Sequence, residues 1–316
     1  MRMRTLGSAG ADISVVGFGA WEAGGGREWG QAKPDEQVVD AVRAAIDAGI
    51  TWIDTAEVYG AGRSEELIGR AVAGRRDDVL VFTKVGPAPA GTGFRPEEIH
   101  KAVRGSLERL GTDRIDLYQL HWPDDSGVPV EDTWGAMAEL VDEGLVRHVG
   151  VSNFDRGLIE RCEAIRHVDS LQPELSALHL DNRELVAWCG RTGIGVIAYG
   201  PLAYGILTGH VTPGTTFHPG DHRAPGGDVY ESFLAPGRGE RTMEVVDALR
   251  PVADRLRVSV ADVAIAWVVA QPGVTGAIVG STNAEHVRSN AAAGDVGLDE
   301  QTLAELERVL SAGGEG

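Results

Sequence analysis

Trp52-Ile53-Asp54-Thr55-Ala56-Glu57-Val58-Tyr59-Gly60 is a short apolar run that ends in a carboxylate and is followed, five residues later, by a tyrosine beside a glycine. Its β-branched and aromatic start suits a buried strand, and Asp and Gly suit the turn after one. Such residues favour strand ends for structural reasons alone. On its own the stretch therefore reads equally as a capped turn or as the edge of a site, and partners at other strand ends must decide between the two.

Outward from this stretch, short apolar runs alternate with amphipathic helical segments, the pattern of a parallel α/β architecture. Residues 4–15 form a likeness of a hairpin around Ser8-Ala9-Gly10, and Val15–Gly19 reads as a first buried strand. Pro34-Asp35-Glu36 opens a helix that Gly49 stops, in the positions that proline, acidic residues and glycine favour. Strands follow at 51–54, 79–84, 115–121, 146–151, 170–172, 195–199 and 276–279, each trailed by a helical segment. Residues 200–240 break the rhythm as a Gly- and Pro-rich excursion, and loops of that length are usually functional. Residues 312–316 read as a frayed tail. Eight strand–helix cycles over residues 1–316 predict one domain, a (β/α)8 barrel of the α/β class, with no linker. A doubly wound sheet is the main competitor. Gly17-Phe18-Gly19-Ala20-Trp21-Glu22 lacks the third glycine of the dinucleotide fingerprint, and no acidic partner follows at its distance.

Composition narrows the function. With 24% charged residues and a net charge of −18, the chain lacks the clustered Lys and Arg of a nucleic-acid binder. Met1-Arg2-Met3-Arg4-Thr5-Leu6-Gly7 has no secretory apolar stretch. No apolar run approaches the roughly 20 residues of a membrane span. The expectation is a soluble cytoplasmic protein without a membrane partner. Cys162 and Cys189 have no metal-ligand spacing and read as reduced, buried thiols.

In a barrel, reactive groups sit at the C-terminal strand ends. Here those ends carry Asp54 with Tyr59, then Lys84, His121, Ser152 with Asn153, Gln172 and Tyr199. No structural need puts Asp, Tyr, Lys and His at one rim. An ammonium beside a phenol favours the phenolate and lowers its pKa, and a carboxylate holds the ammonium in place. Tyr59 is thus expected to be the general acid, Lys84 its tuner, Asp54 the anchor of the lysine and His121 the orienter of a substrate oxygen. The set contains no activated nucleophile, no paired carboxylates and no metal ligands, so a hydride must come from a cofactor. His218 and His222 suggest a metal, but no Glu or Cys completes a set.

Asp54-Thr55-Ala56 with Tyr59-Gly60 and Ser64-Glu65-Glu66 resembles the signature of the aldo-keto reductases. So do Thr83-Lys84-Val85, Leu117–His121, Gly150–Phe154, Gln172-Pro173-Glu174, Ala198–Leu202 and Gly205–Gly209. The resemblance implies a barrel closed at its base by the N-terminal hairpin (1–14). It also implies an NADPH-dependent carbonyl reductase with Asp54, Tyr59, Lys84 and His121 as catalytic tetrad. Ser152, Asn153 and Gln172 are then expected to hold the nicotinamide carboxamide, with Tyr199 stacked on its ring. Gly200, Leu202, Gly205 and Leu207 are expected along the pyrophosphate, and Gly280, Ser281, Thr282, His286 and Asn290 at the adenosine end.

One departure matters. The family usually places Lys or Arg after strand eight for the 2′-phosphate of NADPH, whereas this chain has Gly280-Ser281-Thr282-Asn283. Arg288 is the nearest cation, on a helical phase unlike that of His286. A phosphate is best held by a charged, forked donor, so weaker discrimination against NADH is expected. Trp21, Trp29 and Trp122 are the candidate walls of an apolar pocket for a small carbonyl or sugar substrate. The rival readings are a cofactor-bound regulatory subunit, as in the channel β subunits that share this fold and tetrad, and a cofactor-free barrel isomerase or lyase. The second of these conflicts with Ser152, Asn153, Gln172 and Tyr199.

Overall fold

The computed structural model describes residues 1–25, 32–212, 214–218 and 220–311. Trp29 and the expected frayed tail (312–316) lie outside the described residues. The chain opens with an antiparallel hairpin, β1 (Met3–Thr5) and β2 (Asp12–Ser14). Eight parallel strands then close a barrel: β3 (Val16–Gly19), β4 (Trp52–Asp54), β5 (Leu80–Val85), β6 (Ile115–Leu120), β7 (Val146–Ser152), β8 (Ser170–Gln172), β9 (Gly195–Ala198) and β10 (Gly276–Gly280). The ring is completed by β10 pairing with β3, Ala277 opposite Val16 and Gly280 opposite Gly19. Every predicted strand is present, with ends shifted by a residue or two.

Strand side chains alternate between faces, and that alternation builds the interior in layers. Trp52, Phe82, Leu117, Ile197 and Ile278 point inward and pack with Leu6 and Ile13 of the hairpin. The hairpin therefore plugs the base, and the Trp52 indole donates to the Ser14 carbonyl at 2.8 Å. Two residues further along β4, β5 and β6 the same inward face carries Asp54, Lys84 and Gln119. The apolar layer is the floor on which the polar one stands. Val16 and Phe18 face outward into the main core, so Gly17 and Gly19 face in.

The helices cover the outside with their apolar stripes. Asp35–Asp47 buries Val38, Val39, Val42, Ala45 and Ile46, a spacing that repeats every three to four residues. Pro96 starts the helix Pro96–Leu110, and Gly111, at φ 61°, ends it. Ser259 and Asp262 cap Val260–Ala270 reciprocally at 3.1 and 2.8 Å. That helix is buried from Val263 to Val269, because neighbouring helices and the turn Ala203–Thr208 cover it on several sides.

The excursion 200–240 holds a 3-10 segment, Ala203–Thr208, and a π-helical turn, Tyr230–Leu234. Between them the Arg223 guanidinium grips the Asp221 carboxylate at 2.8 and 2.9 Å and the Tyr204 carbonyl at 3.2 Å. Local turns joined by one arginine carry no sequence period, so their form is not legible in the pattern.

The inward glycine of β3 gives a direct test of the layered interior. A Cβ on Gly17 would fall on the Trp52 ring at Cε2 and Cζ2. Gly17→Ala is expected to destabilise the protein by about 1–3 kcal/mol through overpacking, measured by denaturant unfolding, and a variant as stable as the wild type would contradict this arrangement.

Candidate active site

Six strands deliver polar side chains at or just past their C-terminal ends. Lys84 is fully buried, and its ammonium has three acceptors: Asp54 Oδ1 at 2.5 Å, the Thr55 carbonyl at 3.0 Å and the Tyr59 hydroxyl at 3.2 Å. An ammonium has three protons to donate, so Lys84 is saturated and fixed in direction. Asp54 Oδ2 accepts from Gln172 Nε2 at 2.8 Å and from Gln119 Nε2 at 3.3 Å. Withdrawing both ions from water costs several kcal/mol each, and only good geometry with the remaining polar atoms satisfied offsets it. This pair meets that condition.

Tyr59 arrives on a turn clamped from both sides. Thr55 N donates to the Phe82 carbonyl at 2.9 Å, and Ser64 Oγ bonds the Thr55 hydroxyl and donates to the Ala20 carbonyl, both at 2.8 Å. The Glu57 carboxylate accepts from Gly86 N, Thr92 N and the Thr92 hydroxyl at 2.8 to 3.0 Å, tying the Tyr59 turn to the loop after β5. On the far side of the phenol stands His121, its Nε2 3.5 Å from the Tyr59 oxygen and its ring edge-on at 5.5 Å. That separation is the limit of a hydrogen bond, and such contacts tighten when substrate is bound.

The charges correct one expectation. Burial pushes the Tyr59 hydroxyl upward; the Lys84 ammonium opposes it, the Asp54 carboxylate adds to it, and the net direction is up. Lys84 therefore moderates the phenol without bringing it below its usual value, because desolvation outweighs one neighbouring charge. For Lys84 itself burial pushes down, but the Asp54 carboxylate and Tyr59 more than offset it, so the ammonium is held above its usual value. Burial, then the Lys84 charge, push His121 well below the imidazole range. The set is a protonated phenol between a fixed ammonium and a neutral imidazole. It can hand a proton to an oxygen that gains negative charge.

The residues expected to hold a cofactor surround this set. Ser152 Oγ donates to the Gln172 carbonyl at 2.9 Å. Asn153 donates to the His121 carbonyl and to Ser152 Oγ, both at 3.1 Å, and accepts from the Tyr199 hydroxyl at 3.0 Å. Asn153 takes φ 62°, a left-handed conformation that asparagine tolerates well. Amides, hydroxyls and one aromatic plane at a single rim suit a flat carboxamide-bearing ring. Beyond Tyr199, Gly200 and Gly205 take φ 70° and 92°, with Ala203 and Tyr204 also at positive φ. Non-glycine residues there cost about 1–3 kcal/mol each and cluster at ligand sites. Leu202 is half-buried and Leu207 fully buried.

The end of β10 differs in character. Thr282 is buried; its hydroxyl donates to Glu22 Oε1 at 3.0 Å and its carbonyl accepts from Gln37 Nε2 at 2.9 Å. Ser281 Oγ accepts from Asn283 N, and Asn283 caps the helix Ala284–Ala292. His286 and Arg288 are exposed, Asn290 and Ser281 half-buried, and Gly280 lies against the Gly19 carbonyl. A carboxylate, that of Glu22, thus lies against Thr282. Trp21 packs 6.3 Å from Tyr59, centroid to centroid, whereas Trp122 is 49% exposed beside His121 and takes no part in the core. His218 and His222 join no metal set: among the described residues no group of three or more His, Cys, Asp or Glu side chains could hold an ion. Both cysteines are buried, with thiols pushed up to about 12 by burial.

Comparison with known proteins accords with this geometry. The model of the Aldo/keto reductase family matches residues 15–311. The chain belongs to the aldo/keto reductase family. It is 36% identical over 289 residues to the aldo-keto reductase YhdN of Bacillus subtilis (strain 168), covering 89% of this chain and 85% of the relative. It is 32% identical to a probable voltage-gated potassium channel subunit beta of Arabidopsis thaliana (94% and 92% covered). It is 31% identical to the NADH-specific methylglyoxal reductase of Escherichia coli (strain K12), with 99% of each covered. Among solved structures it superposes on the glycerol dehydrogenase AKR11B4 of Gluconobacter oxydans with TM-score 0.86 at 29% identity, covering 99% and 95%. A Klebsiella pneumoniae aldo/keto reductase in complex with NADP and acetate gives TM-score 0.76 at 32% identity, covering 98% and 96%.

Several contributors escape a reading of strand ends. Gln119 supports Asp54 and lies in register beside Lys84; its position two residues before His121, on the same strand face, is the signal that finds it. Glu57 and Glu22 act through contacts with loops distant in sequence. Tyr204 and His222 reach Trp21 from the aperiodic excursion; the sequence marks His222 only as a metal candidate, and nothing in it signals the contact with Trp21.

The neutral His121 carries a consequence for stability. An unfolded histidine takes up a proton near pH 6.5, whereas the folded chain resists it, so this burial contributes above about pH 6.5 and is lost as pH falls. Between pH 7.5 and 5.5, His121→Asn is expected to lose about 1 kcal/mol less stability than wild type, read from denaturant midpoints. An equal loss in both proteins would show that His121 titrates normally.

Proposed function

We propose that the chain reduces aldehydes or ketones to alcohols, or runs the reverse on an alcohol or sugar, with Tyr59 as the proton donor. The observation that carries this reading is the saturated Lys84 ammonium, 2.5 Å from Asp54 and 3.2 Å from the Tyr59 hydroxyl, with neutral His121 across from it. His121 and Tyr59 hold the carbonyl oxygen between them. Tyr59 gives up its proton as negative charge grows on that oxygen, and Lys84 steadies the phenolate left behind. Asp54, itself held by Gln119 and Gln172, keeps Lys84 charged and aimed. A nicotinamide dinucleotide, when bound, supplies the hydride that these side chains lack.

Ser152, Asn153 and Gln172 would hold the carboxamide and Tyr199 the ring face. Gly200, Leu202, Gly205 and Leu207 would line the pyrophosphate. Gly280, Ser281, Thr282, His286 and Asn290 would meet the adenosine end. Trp21 and Trp122 would wall the substrate, the latter from its exposed position. Relatives include both an NADP complex and an NADH-specific reductase. Here a carboxylate, Glu22, pairs with Thr282 and no cation lies at 280–283, which supports use of NADH alongside NADPH. The regulatory-subunit reading draws on the channel-subunit relative and predicts cofactor binding without turnover.

Absorbance of NADPH and NADH is followed with aldehydes, ketones and aldoses. Tyr59→Phe is expected to lower kcat by about a hundredfold or more. A variant as fast as wild type would remove Tyr59 from the role, and cofactor binding with no turnover by either protein would favour the regulatory reading.

Fluorescence titration of both cofactors tests the adenosine end. The two affinities are expected within about tenfold, and Glu22→Gln is expected to favour NADPH by several-fold through loss of like-charge repulsion. A hundredfold wild-type preference for NADPH would contradict the assignment.

A further inference from the structure

The indole of Trp21, beside Tyr59, has a second set of neighbours that the reaction does not use. The Tyr204 ring meets it edge-on at 6.0 Å and the His222 ring edge-on at 5.6 Å, while Tyr204 and His222 touch each other at 5.2 Å. These are the separations of packed aromatic pairs. The three rings contact one another in a closed triangle, with the Trp21 indole meeting the other two nearly at right angles.

The two rings packed on Trp21 stand on hydrogen-bonded supports. His222 is buried, and its neighbours in sequence, Asp221 and Arg223, form the carboxylate–guanidinium pair that also grips the Tyr204 carbonyl. The His222 carbonyl accepts from Tyr230 N at 3.0 Å, and Gly227 lies so close to the His222 backbone that any side chain there would strike it. The Asp228 carboxylate is 3.9 Å from His222 Nδ1. Tyr204 is held by its left-handed backbone, φ 57°, and by the Arg223 guanidinium on its carbonyl.

We infer that His222 and Tyr204 clamp the Trp21 indole against Tyr59, and thereby restrict the reductase to carbonyl compounds with at least one small substituent. The phenol is already flanked by His121 at 5.5 Å and Trp21 at 6.3 Å. A carbonyl reaching the hydroxyl comes close to both rings, so a fixed indole admits aldehydes and methyl ketones and excludes ketones bulky on both sides. His222 is a positioning residue: it acts on the substrate only through Trp21. The selectivity part rests on the reductase reading above; the clamp itself does not.

The experiment separates the two. Protein labelled with 5-fluorotryptophan is studied by fluorine NMR, the Trp21 signal being assigned by its loss in Trp21→Phe. One sharp Trp21 line is expected in wild type and in His222→Phe, which keeps an aromatic edge, and a broadened or split line in His222→Ala. In parallel, the ratio of kcat/KM for a diaryl ketone to that for a short aliphatic aldehyde is expected to rise about tenfold in His222→Ala and to return in His222→Phe. An unchanged Trp21 line in His222→Ala overturns the clamp, whatever the enzyme reduces. A changed line with an unchanged ratio overturns its role in selectivity. If wild type reduces no carbonyl compound, the reductase reading fails and the selectivity claim with it, while the fluorine spectra still decide the clamp.

Discussion

A lysine ammonium with no access to water, closed between a carboxylate, a carbonyl and a phenol, is the constraint on which the upper half of this barrel depends. Lys84 cannot be buried without Asp54, and Asp54 cannot be buried without Lys84, Gln119 and Gln172. Removing one member of such a pair leaves an uncompensated charge and typically costs 3–5 kcal/mol. The same geometry that makes the burial tolerable points the third ammonium proton at Tyr59. Stability and chemistry are thus carried by one set of contacts.

The barrel makes that set possible through its period of two. An apolar layer of Trp52, Phe82, Leu117, Ile197 and Ile278, plugged from below by Leu6 and Ile13, gives each strand a floor. Two residues later the same strands present Asp54, Lys84 and Gln119 to one another across parallel registers. Helices pack their apolar stripes outside this ring, and the loops that follow the strands stand apart from the floor.

That geometry explains what could be read in advance. Asp54, Lys84 and His121 are legible because each is a reactive residue at the end of an apolar run, and glycines and prolines mark where the helices begin and stop. Gln119 is legible only in part, since its type is neutral and only its strand phase betrays it. The direction of the Tyr59 proton equilibrium was not legible: charge neighbours can be inferred from strand ends, but the burial that outweighs them is a property of the whole fold. Trp122 is apolar by type yet 49% exposed, because it stands just past the end of β6, where no element among the described residues covers it. Glu22 against Thr282, and His222 against Trp21, are contacts across 260 and 201 residues of chain. The first joins the segments that follow β3 and β10, with no shared period, and the second depends on an aperiodic loop held by Arg223.

The charged state of Lys84 is the claim that everything else uses. The chain has only three lysines, Lys33, Lys84 and Lys101, so the side-chain nitrogens are separable by NMR of protein labelled with nitrogen-15 lysine. Asp54 and Tyr59 hold the ammonium above its ordinary value of 10.5. The Lys84 nitrogen is therefore predicted to keep its ammonium shift, with slowly exchanging protons, through neutral pH and up to that value. A Lys84 signal that moves to the amine position at or below about pH 8, as desolvation alone would produce, would contradict the account.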